Sequence, residues 1–140
     1  MIIRDATFHD LEVLLPLAHE AHAKSPLADI PMNDAIVQRN LVTAIQFEDG
    51  FAKVAEKDGA VLGGLVGIIA DSHYGIRCAQ DLFNYSNGGT DLLVKAFLQF
   101  ALSRACRFVQ ITDLSNNKRY QSLLVDLGLK PGGNNFVGVF

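Results

Sequence analysis

A short turn in the middle of the chain has the residue types of an anion site. Asn87, Gly88 and Gly89 follow an apolar run, and Thr90 opens a stretch whose apolar residues recur at helical spacing. The first N–H groups of a helix have no partner within the helix, and the helix dipole adds partial positive charge there. Glycines admit a ligand close to the backbone, and Thr90 is a candidate N-cap. The pattern predicts a phosphate site, but an ordinary strand-to-helix turn favours the same residues.

The elements around this turn alternate between strand and helix. Apolar runs and turn signals predict strands at 2–6, 51–57, 60–70, 79–85, 107–112 and 136–140. Helical spacing predicts helices after Thr7, after Asn33, at 90–102 and at 118–126. The order βααβββαβαβ, with an Asp58-Gly59 hairpin turn, predicts an α/β fold in which a mixed central sheet carries helices on both faces.

Length and composition point to one globular domain over 1–140. The longest apolar stretch, 60–70, is too short to span a bilayer, and the N-terminus lacks the layout of a signal peptide. We therefore expect a cytoplasmic protein without a membrane partner. His19 and His22 have metal-like spacing but no evident third ligand, so no metal is expected.

The charge is unevenly distributed along the chain. Residues 1–58 hold five of the twelve Lys and Arg but ten of the fifteen Asp and Glu, so the first part is acidic and the remainder mildly basic. An acidic wall suits a cationic partner and a basic one a phosphorylated ligand. No dense basic cluster exists beyond Lys118-Arg119, which argues against nucleic acid as a partner.

The element order and three local patterns together resemble the GCN5-related N-acetyltransferase superfamily over essentially the whole chain. Residues 3–7 with Asp10-Leu11 are similar to the opening strand and first helix of that family, and residues 54–63 are similar to its central hairpin. Asn116 lies twelve residues before Gly128-Leu129, like the residues that bracket the fourth helix of the family. The resemblance also extends to small divergent members encoded by bacteriophages.

The resemblance implies a cleft for acetyl-coenzyme A between splayed central strands. The pantetheine arm would pair with the strand that ends near Asn84, and the diphosphate would rest on the turn and helix start described above. The implied coenzyme contacts are Phe83, Asn84, Tyr85, Asn87, Gly88, Gly89, Thr90 and Asn116.

The phosphate loop departs from the family pattern Gln/Arg-x-x-Gly-x-Gly/Ala. The matching residues run from Asn84 to Gly89, and only the last glycine agrees. Asn84, with a shorter side chain, replaces the Gln or Arg that begins the family pattern, and Asn87 replaces its middle glycine. Asn tolerates positive φ better than most residues, which would preserve the turn.

Acyl transfer to an amine requires proton transfers, for which the chain offers three candidates. The family commonly supplies a tyrosine acid at the place of Leu124, and Tyr120 lies one turn earlier. Asp81 is near a glutamate of some members, and His73 has the more suitable intrinsic pKa for a base. Strand alternation puts Asp81, Phe83 and Tyr85 on one face and Gln80, Leu82 and Asn84 on the other. Water can also take up the proton.

Two functions remain open at this point. The first is an acetyl-coenzyme A dependent N-acetyltransferase that acts on a small-molecule or protein amine by direct attack. The second is a catalytically silent protein of the same fold that serves as a binding, structural or phage-associated module. Gly88-Gly89 and Asn116 favour the enzyme, whereas Asn87 and Leu124 favour the silent protein. The apolar strand 136–140 would leave an exposed edge unless paired, which indicates a homodimer.

Overall fold

The computed structural model describes residues 1–115, 117–133 and 136–140. Within these ranges the chain forms five strands and four helices. The strands are β1 (Ile2–Asp5), β2 (Gly50–Lys57), β3 (Ala60–Asp71), β4 (Arg77–Ser86) and β5 (Phe108–Gln110). The helices are α1 (Leu11–Ala23), α2 (Asp34–Gln46), α3 (Thr90–Ser103) and α4 (Lys118–Asp126).

The strands form one mixed sheet in the order β1-β2-β3-β4-β5. The first four pair antiparallel with their neighbours, and β5 pairs parallel with β4. Asp58 and Gly59 both have positive φ, 53° and 78°, at the turn from β2 to β3. These angles match the twist of the flanking strands, which is why this dipeptide signals a tight hairpin.

Helices cover both faces of the sheet. On one face α1 and α2 pack through residues that include Leu14, Leu17 and Leu41. On the other face α3 buries Leu93, Val94 and Phe97 completely. We call these the α1/α2 face and the α3 face. The predicted mixed sheet with helices on both faces is confirmed.

The predicted terminal strand does not form. Residues 136–140 pair with no strand among the described residues, and Phe136 is 91% exposed. The alternating pattern is present, but a strand also needs a partner edge and a surface to cover, and the large side chains of residues 136–140 are exposed. No helix in the described part of the chain has both the length and the apolar character needed to cross a membrane.

Candidate functional site

The sheet splits where β4 and β5 part. The two strands pair at Cys78–Phe108, Ala79–Val109 and Gln80–Gln110, and there the ladder of the described residues ends. β4 continues to pair with β3 through Ser86. From residue 81 to 86 one edge of β4 is therefore open, and its backbone N–H and C=O groups are available to a ligand.

A β-bulge at Leu82 determines which side chains share a face of β4. Gly67 of β3 pairs with Asp81 and Val66 with Phe83, so Leu82 is an extra residue. One extra residue reverses the alternation beyond it. The predicted faces are thus wrong: Asn84 lies with Asp81 on the α3 face, while Phe83 packs on the α1/α2 face.

The turn after β4 places the start of α3 at the open edge. Gly89 is the N-cap, with φ of 75°, so Thr90 is the first helical residue and not the cap that the sequence suggested. A glycine cap has no side chain to occupy the free N–H groups of the first turn. Asn87 donates its N–H to the Leu62 carbonyl at 2.8 Å and has no positive φ, so the asparagine causes no strain in the turn.

One cleft of about 800 Å³ joins the open edge, this turn and the beginning of α4. Of the sequence candidates it is lined by Asp81, Phe83, Asn84, Tyr85, Asn87, Gly88, Gly89, Thr90 and Tyr120. His73 does not line it, because the residue is exposed in the turn between β3 and β4, at the opposite end of β4. Asn116 lies outside the described residues.

Asp81 occupies the point at which the two strands diverge. Its Oδ1 accepts a hydrogen bond from the Thr112 N–H at 2.9 Å, a contact that lies just beyond the last residue pair of the ladder. Burial raises the pKa of Asp81 to about 6, and the bond from Thr112 opposes this shift in part. A carboxylate that titrates near neutral pH is suited to accept a proton from a substrate.

Tyr120 faces Asp81 across the cleft and is held by Asn84. The Asn84 Nδ2 donates a hydrogen bond to the Tyr120 hydroxyl oxygen. Burial, followed by the charges of Asp81 and Asp113, raises the pKa of Tyr120 above its ordinary value of 10. The phenol therefore keeps its proton at neutral pH. Since its oxygen accepts from Asn84, that proton is free to be donated to a ligand.

Leu124 has a structural role in place of a chemical one. It packs against the α3 core and is not among the described residues that line the cleft. Tyr120, one helical turn earlier, is the α4 tyrosine that reaches the cleft. The two departures at Asn84 and Leu124 are thus linked in space, because Asn84 contacts Tyr120, which lies one helical turn before Leu124.

Thr112, Asn117 and Lys24 are among the cleft residues that the sequence candidates do not include. Thr112 binds Asp81 through its backbone, and Asn117 caps α4 by accepting from the N–H groups of Arg119 and Tyr120 at 3.0 and 3.3 Å. Lys24, after α1, donates to the Tyr85 hydroxyl at 3.3 Å. A capping pattern was available for Asn117, whereas the other two contacts join distant parts of the chain.

The described residues contain no group of three or more His, Cys, Asp or Glu side chains positioned to hold a metal ion. His19 is engaged elsewhere: its Nε2 lies 2.7 Å from Asp34 Oδ1 in an exposed pair between α1 and α2. Besides backbone donors, the cleft is lined by carboxylates, phenols, primary amides and hydroxyl groups, and by the basic side chains His22, Lys24 and Arg119.

Solved structures similar to this chain are acetyltransferases and related proteins. A transcriptional regulator from Bacillus halodurans C-125 is 20% identical over 99% of both chains, with a TM-score of 0.75. A ribosomal-protein-alanine N-acetyltransferase from Brucella melitensis biovar Abortus 2308 is 16% identical over 100% of both chains, with a TM-score of 0.71. An aminoglycoside 6'-N-acetyltransferase from Acinetobacter haemolyticus is 13% identical over 100% of this chain and 98% of the other, with a TM-score of 0.69.

No protein-family model matches the chain, and no curated protein matches it by sequence. The similarity is therefore one of structure over the full length of the chain. It shows that the chain has the fold of the GCN5-related N-acetyltransferases, as the sequence resemblance predicted.

Proposed function

We propose that the protein is an acyl-coenzyme A dependent N-acyltransferase that moves an acetyl group from acetyl-coenzyme A to an amine. The observation that carries the proposal is the open edge of β4, which leads without interruption into the glycine-capped start of α3. A ligand with amide groups along one end and a diphosphate at the other matches this sequence of donors and acceptors.

The residues present fit such a ligand. The main chain of residues 81–86 can pair with the amides of the pantetheine arm, and the free N–H groups of the first turn of α3 can bind the diphosphate. The cleft, about 800 Å³, is at the upper end of the range for small-molecule sites. Recognition would rest mainly on the backbone, which explains how the loop can tolerate Asn84 and Asn87.

Acetyl-coenzyme A supplies an activated acyl group and a thiolate leaving group when bound. Asp81 accepts a proton from the attacking amine, since burial gives its carboxylate a pKa of about 6. Tyr120 donates its phenolic proton to the departing thiolate, and Asn84 holds the phenol for that donation. The acid and the base come from different elements, α4 and β4, that meet at the divergence of the strands.

The alternative function is a protein of this fold that binds coenzyme A without turnover. Leu124 favours it, because the position that carries the family's acid belongs here to the core. Both functions retain coenzyme binding. They differ in turnover, because only the enzyme releases free thiol from acetyl-coenzyme A when an amine is added.

The first experiment measures thermal unfolding with coenzyme A. A ligand at a hundredfold its Kd adds about 2.7 kcal/mol to the free energy of unfolding. For a chain of this length that raises Tm by roughly 6–10 °C. Asn87→Asp places a negative charge in the cleft beside the free N–H groups, so it should weaken coenzyme A binding about tenfold. Asn87→Ser is the neutral control and should bind like the wild type.

Phosphate-free pantetheine gives a second control, since the Asn87→Asp charge has no diphosphate to repel. The affinity for pantetheine should be equal in Asn87→Asp and Asn87→Ser.

Turnover is then followed by the release of free thiol. Tyr120→Phe should retain coenzyme A affinity but lose about a hundredfold in kcat. Absence of a Tm shift at millimolar coenzyme A would rule out the proposal. Binding without thiol release from any amine would establish the silent alternative.

A further inference from the structure

A second cavity of about 160 Å³ lies on the α1/α2 face, next to the cleft. It is bordered by α1, α2, the segment that joins them, and strands β3 and β4, and it is partly open to the surface. The lining residues are almost all aliphatic or aromatic, and the lining side chains from the helical side include Leu11, Leu15, Ala18, Met32 and Val37.

The cavity is chemically suited to an apolar group. Asn40 is the one polar side chain among the described residues that line it, and none of them is charged. Cavities of about 150 Å³ lined by aliphatic and aromatic side chains remain dry and bind benzene. A single aromatic ring or a branched alkyl group of similar size would therefore fill this space.

The cavity adjoins the proposed reaction site. Leu82 and Phe83 line both the cavity and the cleft. Leu82 is the bulge residue, follows Asp81 directly in the chain and is 44% exposed in spite of its apolar side chain. Asp81 lies on the α3 face and the cavity on the α1/α2 face, so a ligand seated against Leu82 would reach Asp81 around the open edge of β4, through the cleft that both residues line.

We propose that this cavity binds the apolar substituent of the acceptor, so that the substrate is an amine carrying an aromatic ring or an alkyl group of about five or six carbons. The proposal rests on the function proposed above. It names the class of amine that the acyltransferase uses.

Two observations assign the cavity to the amine and not to the acyl donor. The proposed coenzyme contacts lie on β4, in the turn after it and at the first residue of α3, and among the described ones Phe83 alone also lines the cavity. Helix α1 carries the exposed Glu12, within the acidic first part of the chain, which favours the approach of an ammonium group, whereas Glu20 and Asp34 pair with Lys24 and His19.

The test compares primary amines of increasing apolar size with acetyl-coenzyme A as the donor. From propylamine to hexylamine, kcat/KM should rise about fourfold for each methylene that the cavity buries. Phenethylamine should exceed ethanolamine by more than tenfold. Equal values across the series would overturn the proposal while leaving the acyltransferase function intact.

Val37→Phe fills the cavity from α2, where Val37 is only partly buried. It should reduce kcat/KM for phenethylamine at least tenfold and leave ethanolamine unchanged. Ile36→Phe is the matched control, because the neighbouring residue is exposed and does not line the cavity. A similar loss in both variants would contradict the assignment.

Direct binding keeps the proposal testable without turnover. Phenethylamine should raise Tm of the wild type and of Ile36→Phe more than ethanolamine does, and this difference should disappear in Val37→Phe. A preference for longer acyl groups on the coenzyme, with no preference among amines, would overturn the proposal by assigning the cavity to the donor. Failure of coenzyme A binding with retained amine binding would instead refute only the proposed acyltransferase.

Discussion

Burial of Asp81 raises the pKa of its carboxyl group and lowers the stability of the fold. Its pKa is raised to about 6 by burial, whereas an aspartate in an unfolded chain titrates near 4. The folded state therefore binds the proton more tightly than the unfolded state. Stability falls as pH rises from about 4 to about 6, and the loss persists at higher pH.

Replacement of Asp81 should stabilise the fold and impair the reaction. Asp81→Asn keeps an oxygen that can accept from the Thr112 N–H but removes the buried charge. We expect the free energy of unfolding at pH 8 to rise by roughly 1–3 kcal/mol, with little change at pH 4. Urea denaturation at the two pH values measures this. The control Asp71→Asn, at the exposed end of β3, should change stability by less than about 0.5 kcal/mol.

The activity of the same variant tests the role of Asp81 as a base. In the wild type kcat/KM should fall about tenfold for each pH unit below about 6, because only the ionised carboxylate accepts a proton. No falling limb is expected up to pH 10, since the pKa of Tyr120 is raised. Asp81→Asn should abolish the acid limb and lower the rate about a hundredfold or more. An unchanged profile would assign proton removal to water.

At the scale of the element, the turn from β4 to α3 depends on one glycine. A Cβ at Gly89 would lie 2.6 Å from Met1 Sδ and 2.8 Å from the buried Ala55 Cβ, and the φ of 75° disfavours any side chain. A valine at Gly89 would therefore disturb the fold itself as well as any ligand at the turn. The glycine is required by the packing beneath the turn as well as by its conformation.

Gly89→Ala should therefore destabilise the free protein by about 2–4 kcal/mol, from the left-handed conformation and from overpacking. Gly88→Ala is the matched control. Gly88 does not have positive φ, and the added Cβ would meet only the end of the Leu62 side chain, at 3.1 Å. The loss of unfolding free energy in Gly88→Ala should stay below about 1 kcal/mol, as measured by chemical denaturation. Equal losses in the two variants would show that the conformation at Gly89 is not what holds the turn.

At the scale of the whole molecule, the sheet ends at β5, a strand of three residues. The apolar tail 136–140 does not cover it, and Phe136 and Phe140 are almost fully exposed. An exposed strand edge and an exposed alternating segment in the same molecule favour pairing between copies. The homodimer expected from the sequence thus remains a prediction with a defined segment to test.

Deletion of residues 136–140 should separate folding from self-association. Because the tail adds little buried surface, the shortened chain should keep its Tm within about 2 °C. Sedimentation equilibrium should show a concentration-dependent dimer for the full chain and a monomer for the shortened one. A full chain that stays monomeric at high concentration would contradict the prediction, as would a shortened chain that still dimerises.

The sequence by itself determined the order of elements from β1 to α4, the bounds of α4 and the glycine turn that precedes α3, although not the residue that caps that helix. Helical spacing, capping residues and turn dipeptides act over a few residues, so they can be recognised without the rest of the chain. For the same reason the predicted candidates from Phe83 to Thr90 fall on one continuous edge and turn, where the structure also places them in a single cleft.

Only the tertiary structure decided which candidates meet. The bulge at Leu82 lies opposite Gly67 of β3, where an added Cβ would come within 2.8 Å of the Gln80 carbonyl and of the Phe97 ring. The extra residue puts Asp81 on the same face as Asn84, and no pattern within β4 reveals it. The position of His73 away from the cleft, the burial of Leu124 and the unpaired tail likewise depend on contacts between residues far apart in the chain, which local spacing does not encode.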